Sequence, residues 1–312
     1  MGFLNVQGHE CLSACFGCVL GDINPKITPN SIVLLGDGLD VSFDDNTHIL
    51  STQMYNSNFE FLKKYEIDFC VLHARDKIEA EQVLQKTSWN HTPLIIKLNP
   101  EQLNYNRVFQ QAQDSTHYIC VLNSDTDKLD ICDNYVPTRI PSHFVGKVDF
   151  KMIMDAWIDM QFEYISVKRC DLSNMSFDED IINRIKKGLE KYINGGKTES
   201  VYYGKDAIIR LFKRIIDNKD DYSFERLSEI NYQLRVYGFI SLKYILFEQL
   251  NNMKIIEEGV YNPIISEWNK ICMALLKCGL TKKSENYTAL LERVNCITNK
   301  ELQLYNEILG AL

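Results

Sequence analysis

Hydrophobic and polar residues follow two different patterns along this chain, and the pattern changes near residue 173. Before it, short apolar runs rich in β-branched and aromatic residues are bounded by Gly, Pro, Asn and Asp, which predicts strands. The predicted strand runs are SIVLLGDGLDVSF, IDFCVLHA, TPLIIKLN, HYICVLNS, KLDICDN and FEYISVKR. They are separated by helical stretches such as NFEFLKKY and KIEAEQVLQKT. After residue 173, apolar residues recur at helical spacing. The sequence therefore predicts an α+β domain over 1–172 and an all-helical domain over 173–312.

Local signals refine both predicted domains. In the first, NSDTDK lies between HYICVL and LDICD, which predicts a hairpin and hence an antiparallel sheet. In the second, the run DEDIINRIKKGLEKYI, residues 178–193, predicts a helix that ends at Asn194-Gly195-Gly196. No strand is predicted after Cys170. Further helical patterns cover about 204–217, 224–250, 263–278, 283–295 and 300–311.

Composition narrows the class of protein. With 312 residues, 45% of them hydrophobic and 24% charged, the chain can bury sizeable cores, which excludes a disordered or disulfide-stapled protein. The formal net charge of -8 argues against a nucleic-acid or membrane-surface partner. Residues 1–174 carry a net charge of -9 and the remainder +1, which again indicates two domains.

The beginning of the chain predicts a cytoplasmic protein. It lacks a basic segment followed by an uninterrupted apolar run, and no run approaches the roughly 18 apolar residues of a membrane span. Ten cysteines would then lie in a reducing compartment, where most are expected to be buried packing thiols.

Three residues could form a catalytic constellation. Cys11 begins a compact apolar stretch that predicts a short buried helix, and a thiol at a helix N-terminus gains thiolate character from the helix dipole. His117 begins the strand HYICVL, and Asp133 lies near the end of the partner strand. A hairpin turn near 124–127 would place His117 and Asp133 opposite each other, or nearly so. Asp133 would then orient His117, and His117 would take the Cys11 proton.

This arrangement resembles papain-like cysteine peptidases, and among them the C39-type peptidases and the butirosin-pathway (BtrH-type) acyltransferases. The resemblance covers about 170 residues and rests on Glu10-Cys11-Leu12-Ser13-Ala14-Cys15, Gly8-His9, Leu35-Gly36-Asp37-Gly38-Leu39, Pro93-Leu94-Ile95-Ile96-Lys97, Leu103-Asn104-Tyr105, His117-Tyr118 and Asp133. It implies an acyltransferase that moves an acyl group from a carrier-protein thioester to an amine. The implied partners are an acyl or peptidyl carrier protein, whose phosphopantetheine holds the substrate, and a small amine or diamine. No bound cofactor or metal is expected.

The oxyanion hole departs from the family pattern. Papain-like enzymes usually place a Gln six residues before the nucleophile, where this chain has Asn5, whereas Gln7 lies four residues before it. We expect Gln7 and the Cys11 backbone N–H to bind the tetrahedral oxygen, with Asn5 as the alternative donor.

Other functions remain open on the sequence alone. The same triad could serve a peptidase or amidase that uses water as acceptor, and the fold could also serve a binding module that does not use the thiol. Cys11, Cys15 and Cys18 have the spacing of an iron–sulfur motif, but the preceding strand and following βα units that such enzymes need are missing. A helix would place these three cysteines on one buried face, and a zinc site lacks a second ligand pair.

Basic residues in the second half could dock an acidic carrier protein, although such residues more often form a solvated helix face. They are Arg184, Lys186, Lys187, Lys191, Lys205, Arg210, Lys213 and Arg214.

Overall fold

A computed structural model describes residues 6–87, 94–111, 115–125, 127–138, 142–168, 172, 175–236 and 238–312. The chain forms two compact units. Unit 1 comprises Met1–Ile32 and Asn58–Phe177, and unit 2 comprises Val33–Ser57 and Asp178–Leu312. The fold is α+β, with antiparallel sheets in the N-terminal part and a helical C-terminal region.

Helices and strands alternate in the first half of the chain, and helices dominate the second. The helices are α1 Cys11–Gly21, α2 Pro29–Leu35, α3 Met54–Lys64, α4 Lys77–Gln85, α5 Phe150–Ile158, α6 Asp178–Asn194, α7 Gly204–Asp217, α8 Phe224–Arg235, α9 Phe239–Asn252, α10 Glu258–Thr281 and α11 Ser284–Ala311. The strands are β1 Val41–Asp44, β2 Ile49–Thr52, β3 Phe69–His73, β4 Leu94–Leu98, β5 His117–Ser124, β6 Lys128–Val136, β7 Ser142–Asp149, β8 Glu163–Val167, β9 Lys197–Thr198 and β10 Val201–Tyr203.

Unit 1 is built on an antiparallel sheet, with the order β3-β8-β4-β5-β6-β7 within the described residues. Its core includes Ile96, Ile119 and Ile131 from the sheet and Ile153 and Trp157 from α5, all of them fully buried. The predicted antiparallel sheet is therefore confirmed, and its strands place the end of β4 beside the start of β5.

Helix α1 is buried on every side, as the apolar stretch predicts. It packs against β5 and β6. Gly17 lies directly against Pro29, where an added Cβ would be 2.7 Å from the proline Cδ. A glycine is therefore required for the close approach of α1 to the start of α2.

Unit 2 contains a small antiparallel sheet as well as helices, with the order β2-β1-β10-β9 among the described residues. Because β9 and β10 follow Cys170, the prediction that strands end there is wrong. These strands are only two and three residues long, so no alternating pattern marks them.

The segment 33–57 is bound to helix α7 by an ion pair, in which Arg210 Nη2 lies 2.6 Å from Asp45 Oδ2. That segment lies in unit 2, although its position in the sequence placed it in the first predicted domain; the boundary near 173 stays a prediction.

A buried ion pair lies in the core of unit 2. Lys243 Nζ on α9 is 2.5 Å from Glu301 Oε1 on α11, and both residues are buried. The same carboxylate accepts Trp268 Nε1 at 2.6 Å and the Tyr192 hydroxyl at 3.1 Å. The Lys243 ammonium also lies 3.9 Å from the centre of the Phe239 ring. Burial lowers the pKa of Lys243, and the neighbouring Glu301 opposes that change.

Several predicted elements have different bounds in the structure. The SIVLL run is part of α2 and not a strand, because Thr28 and Ser31 accept each other's backbone N–H groups at the first turn of the helix. The predicted helix over 224–250 is two helices, and Ser241 donates to the carbonyls of Arg235 and Val236 at the break.

Two later helices are longer than predicted. The patterns at 283–295 and 300–311 form the single helix α11, since no Gly or Pro lies between them at 296–299. Helix α10 begins before Pro263 and contains it. No helix in the part of the chain that the structure describes is both long and apolar enough to cross a membrane.

Candidate active site

Cys11 is the first residue of α1, and Glu10 caps that helix. The Glu10 carboxylate accepts the backbone N–H of Leu12 at 2.9 Å and that of Ser13 at 2.6 Å. Such a cap satisfies donors that the first turn otherwise leaves without a partner. The predicted helix start is therefore confirmed, with a carboxylate at its positive end.

The same carboxylate is the hydrogen-bond acceptor of the thiol. Cys11 Sγ donates to Glu10 Oε1 at 3.5 Å. Burial raises the pKa of Cys11 well above its ordinary value, and the charges of Glu10 and Asp133 raise it further. A backbone hydrogen bond from Tyr118 lowers it. The thiolate that the helix dipole was expected to stabilise is thus opposed first by burial and then by the negative charge of Glu10 at the same end of the helix.

His117 and Asp133 form a buried pair. His117 Nε2 lies 3.0 Å from Asp133 Oδ2, and the two residues are 4% and 0% exposed. This carboxylate oxygen also accepts the Tyr105 hydroxyl at 2.7 Å. Because Oδ2 acts as an acceptor, the His117 Nε2–H group donates this hydrogen bond, and Nδ1 is the ring nitrogen on the other side. Nδ1 forms no hydrogen bond with any described residue.

The hairpin register differs from the prediction even though the two side chains meet. The turn lies one residue later, where Asp125 N donates to Lys128 O at 2.9 Å. Cys120 pairs with Cys132, and the register shifts between Val121 and Asn123. Continuing the Cys120–Cys132 register would place position 135 opposite His117. The contact between His117 and Asp133 is therefore diagonal, a separation that long side chains can span.

Aromatic rings enclose the pair. Tyr105 stacks on Phe144 with ring centres 4.5 Å apart, and Phe109 lies 5.0 Å from the His117 ring centre. The backbone N–H of Tyr135 donates to the other Asp133 oxygen at 3.2 Å. Burial and the Asp133 charge raise the pKa of Tyr105, which keeps its hydroxyl protonated as a donor. Asp133 is thus held by three donors in a dry environment.

Cys11 lies near the His117–Asp133 pair without a hydrogen bond to His117. Helix α1 packs against β5, and the Tyr118 backbone that acts on the sulfur is next to His117. Among the described residues, the hydrogen bond of the thiol goes to Glu10. Cys11 is 7% exposed, so the candidate nucleophile is covered.

Of the predicted oxyanion donors, Gln7 and the Cys11 backbone N–H lie within the described residues. Asn5 lies outside the described residues, and Gln7 is exposed. The Cys11 backbone N–H has no acceptor within the described ranges, whereas those of Leu12 and Ser13 are bound to Glu10. The Cys11 N–H is therefore available to a substrate oxygen, and the role of Gln7 stays a prediction.

The other cysteines of α1 pack against the sheet. Cys18 Sγ lies 4.0 Å from Cys132 Sγ, and Cys120 Sγ donates to the Cys15 carbonyl at 3.6 Å. Burial raises the pKa of Cys15 to about 12. The described cysteines are free thiols, and in the described ranges no three His, Cys, Asp or Glu residues are placed to hold a metal ion.

Five of the eight basic residues that could dock a carrier protein form ion pairs within unit 2. Arg184 pairs with Asp37 and Lys191 with Asp40. Both Arg210 and Arg214 pair with Asp45, and Lys205 donates to the Ile193 carbonyl. Lys187 and Lys213 are exposed, and Lys187 is 3.8 Å from Asp37.

The sequence predicts His9-Glu10 at the N-terminal turn of the Cys11 helix, but it does not predict the contact of Glu10 with the thiol or the roles of Asn58 and Tyr105. Asn58, whose Nδ2 donates to Glu10 Oε2 at 3.1 Å, lies 47 residues after Cys11. These contacts depend on tertiary structure.

Comparisons with known proteins add a distant structural match. No protein-family model matches the chain, and no curated protein matches it. Among solved structures, the chain is similar to a Bacillus anthracis protein provisionally named a C39-like peptidase, with 12% sequence identity and a TM-score of 0.36. The match covers 54% of this chain and 97% of that chain.

Proposed function

We propose that this chain is a cysteine-dependent acyltransferase that forms an amide bond through an acyl-Cys11 intermediate. The observation that carries the proposal is the buried hydrogen bond of 3.0 Å between His117 Nε2 and Asp133 Oδ2, next to the helix whose first residue is Cys11. A nucleophile, a base and a group that orients the base are the requirements of acyl transfer through a covalent intermediate.

The reaction proceeds in two halves. His117 Nδ1 takes the Cys11 proton, and the sulfur attacks the carbonyl of an acyl thioester. The donor C–S bond breaks, and the departing thiolate takes the proton from His117. An amine then attacks the acyl-Cys11 carbonyl and gives its proton to His117. The Cys11 sulfur leaves, recovers this proton, and an amide is released.

The proposed donor is a thioester on the phosphopantetheine of an acyl or peptidyl carrier protein, and the proposed acceptor is a small amine or diamine. The family resemblance around Cys11, His117 and Asp133 supports this choice. The net charge of -9 over residues 1–174 favours a cationic acceptor. Lys187 and Lys213 are the basic positions best placed to contact an acidic carrier, because both are exposed.

Intact-protein mass spectrometry with a panel of acyl thioesters tests the proposal. The wild type should gain the acyl mass, and an added amine should remove it and yield the amide. Cys11→Ala should gain nothing, whereas Cys15→Ala, which removes a buried thiol from the same helix, should still be acylated. Acylation of Cys11→Ala would contradict the assignment of the nucleophile. Discharge by water at the same rate with and without amine would indicate a peptidase or amidase.

The covered and protonated Cys11 favours a second candidate, a binding module that does not use the thiol. Its pKa is raised by burial, and its side chain is 7% exposed. This candidate predicts no covalent adduct with any donor. It also predicts that Cys11→Ala binds the same ligands as the wild type, as isothermal calorimetry would show.

A further inference from the structure

Glu10 has more contacts than a helix cap requires. Its Oε1 accepts the Leu12 N–H at 2.9 Å and lies 3.5 Å from Cys11 Sγ. Its Oε2 accepts the Ser13 N–H at 2.6 Å and Asn58 Nδ2 at 3.1 Å. The residue is buried, so these donors take the place of water around its charge. The carboxylate is therefore fixed in position beside the sulfur.

A fixed carboxylate beside a thiol has an electrostatic consequence. Two of the N–H groups that form the positive end of the helix dipole, those of Leu12 and Ser13, donate to Glu10 and not to the sulfur. The charged groups that act on Cys11 are the carboxylates of Glu10 and Asp133, and both favour the neutral thiol, whereas the Tyr118 backbone hydrogen bond favours the thiolate. His117 begins the strand on which α1 packs.

We propose that Glu10 is a positioning residue that orients the Cys11 S–H bond and holds the resting nucleophile as a neutral thiol. His117 then takes the proton only when the sulfur attacks a bound acyl donor. The inference rests on the proposed function, because it assumes that Cys11 is the nucleophile. The proton balance is unchanged: it passes from Sγ to His117 Nδ1 and from there to the departing thiolate of the donor.

A neutral resting thiol separates two kinds of reactivity. Alkylating agents in solution react with the thiolate, so they should modify Cys11 slowly. A thioester bound beside His117 can still react, since the base removes the proton during the attack. The enzyme would thus be insensitive to electrophiles that do not bind the site.

Site-resolved alkylation tests this proposal without any substrate. Iodoacetamide is added near neutral pH, and the modification of each cysteine is followed by tryptic digestion and fragment spectra. Fragment spectra are needed because Cys11, Cys15 and Cys18 share one tryptic peptide that ends at Lys26. Exposed Cys70 gives an internal reference rate in every sample.

The decisive variant is Glu10→Gln, which keeps the side-chain length and an acceptor oxygen but removes the charge. Its Cys11 should be alkylated about tenfold faster or more relative to Cys70, the factor that one pKa unit of the thiol would give. Asp76→Asn is the matched control. Asp76 caps α4 through a bond of 2.8 Å to the Glu79 N–H, so this variant also removes a capping charge, but Cys11 alkylation should not change.

Two results would overturn the proposal. One is a folded Glu10→Gln protein whose Cys11 is alkylated at the wild-type rate. The other needs no variant: a wild-type Cys11 that is alkylated faster than Cys70 is not held as a neutral thiol. The acyl-adduct experiment is separate, so acylation of Cys11 together with either result would leave the proposed function in place and remove the role of Glu10.

Discussion

Replacing Lys243 by Met should destabilise unit 2, because it leaves a buried carboxylate without its counter-charge. Glu301 is completely buried, and among the described residues it accepts from the Lys243 ammonium, the Trp268 indole and the Tyr192 hydroxyl, of which Lys243 is the cation. Removing one partner of a buried ion pair costs about 3–5 kcal/mol. Trp268 and Tyr192 continue to donate to the carboxylate, so we expect about 3 kcal/mol. For a unit of this size, that loss lowers the melting temperature by about 10 °C.

The double variant Lys243→Met/Glu301→Gln separates charge from packing. The Gln oxygen can still accept the Trp268 N–H, and no charge remains in the core. We therefore expect the double variant to recover most of the loss and to be about 2 kcal/mol more stable than Lys243→Met. Lys63→Met is the control for lysine removal, because Lys63 and Glu60 form an exposed pair that contributes little.

Thermal and urea unfolding of the four proteins measure these free energies. A Lys243→Met protein as stable as the wild type would refute the argument that buried Glu301 destabilises the fold when it lacks the Lys243 counter-charge. A double variant no more stable than Lys243→Met would show that lost packing, and not the unpaired charge, causes the destabilisation.

Three further predictions can be checked with the same variants and assays. Burial lowers the pKa of Lys243 in the folded protein below its ordinary value of 10.5, so the unfolded chain binds more protons between the folded-state and unfolded-state pKa values. The wild type should therefore gain stability with rising pH in that window relative to Lys243→Met, as urea unfolding at several pH values would show. Tyr105→Phe removes the 2.7 Å bond to Asp133 but keeps the stacked ring; it should slow acylation of Cys11 by about tenfold or more with little change in melting temperature, whereas Tyr164→Phe should leave the acylation rate unchanged. Gly17→Ala should destabilise unit 1 by about 1–3 kcal/mol because its Cβ would overlap Pro29, whereas Gly310→Ala, with nothing within 4 Å, should be tolerated in urea unfolding.

Residue pattern predicted the elements whose signal is local. The buried helix at Cys11 and the strands around His117 and Asp133 are confirmed. Their apolar residues pack in the core of unit 1, so burial is already marked in the local sequence. The helix end at Gly195 is confirmed too, since its φ of +61° suits glycine.

Tertiary contacts decided the elements that were predicted wrongly. SIVLL has strand-forming residues, but the reciprocal cap of Thr28 and Ser31 starts a helix ahead of it. Strand β10 has three residues and exists because β1 pairs with it. The raised pKa of Cys11 depends first on its burial and then on the Glu10 carboxylate beside it, and helix position alone could not predict it.

The pairing of β1 with β10 has a consequence for the order of events during synthesis. Asp44 pairs with Val201, so β1 leaves the ribosome long before its partner does. At about 5–20 residues per second, the delay is about 8–30 s. Throughout that time one edge of the β1–β2 hairpin would lack its neighbouring strand. We therefore expect nascent chains that stop between β2 and β10 to depend on chaperones more than the finished protein does.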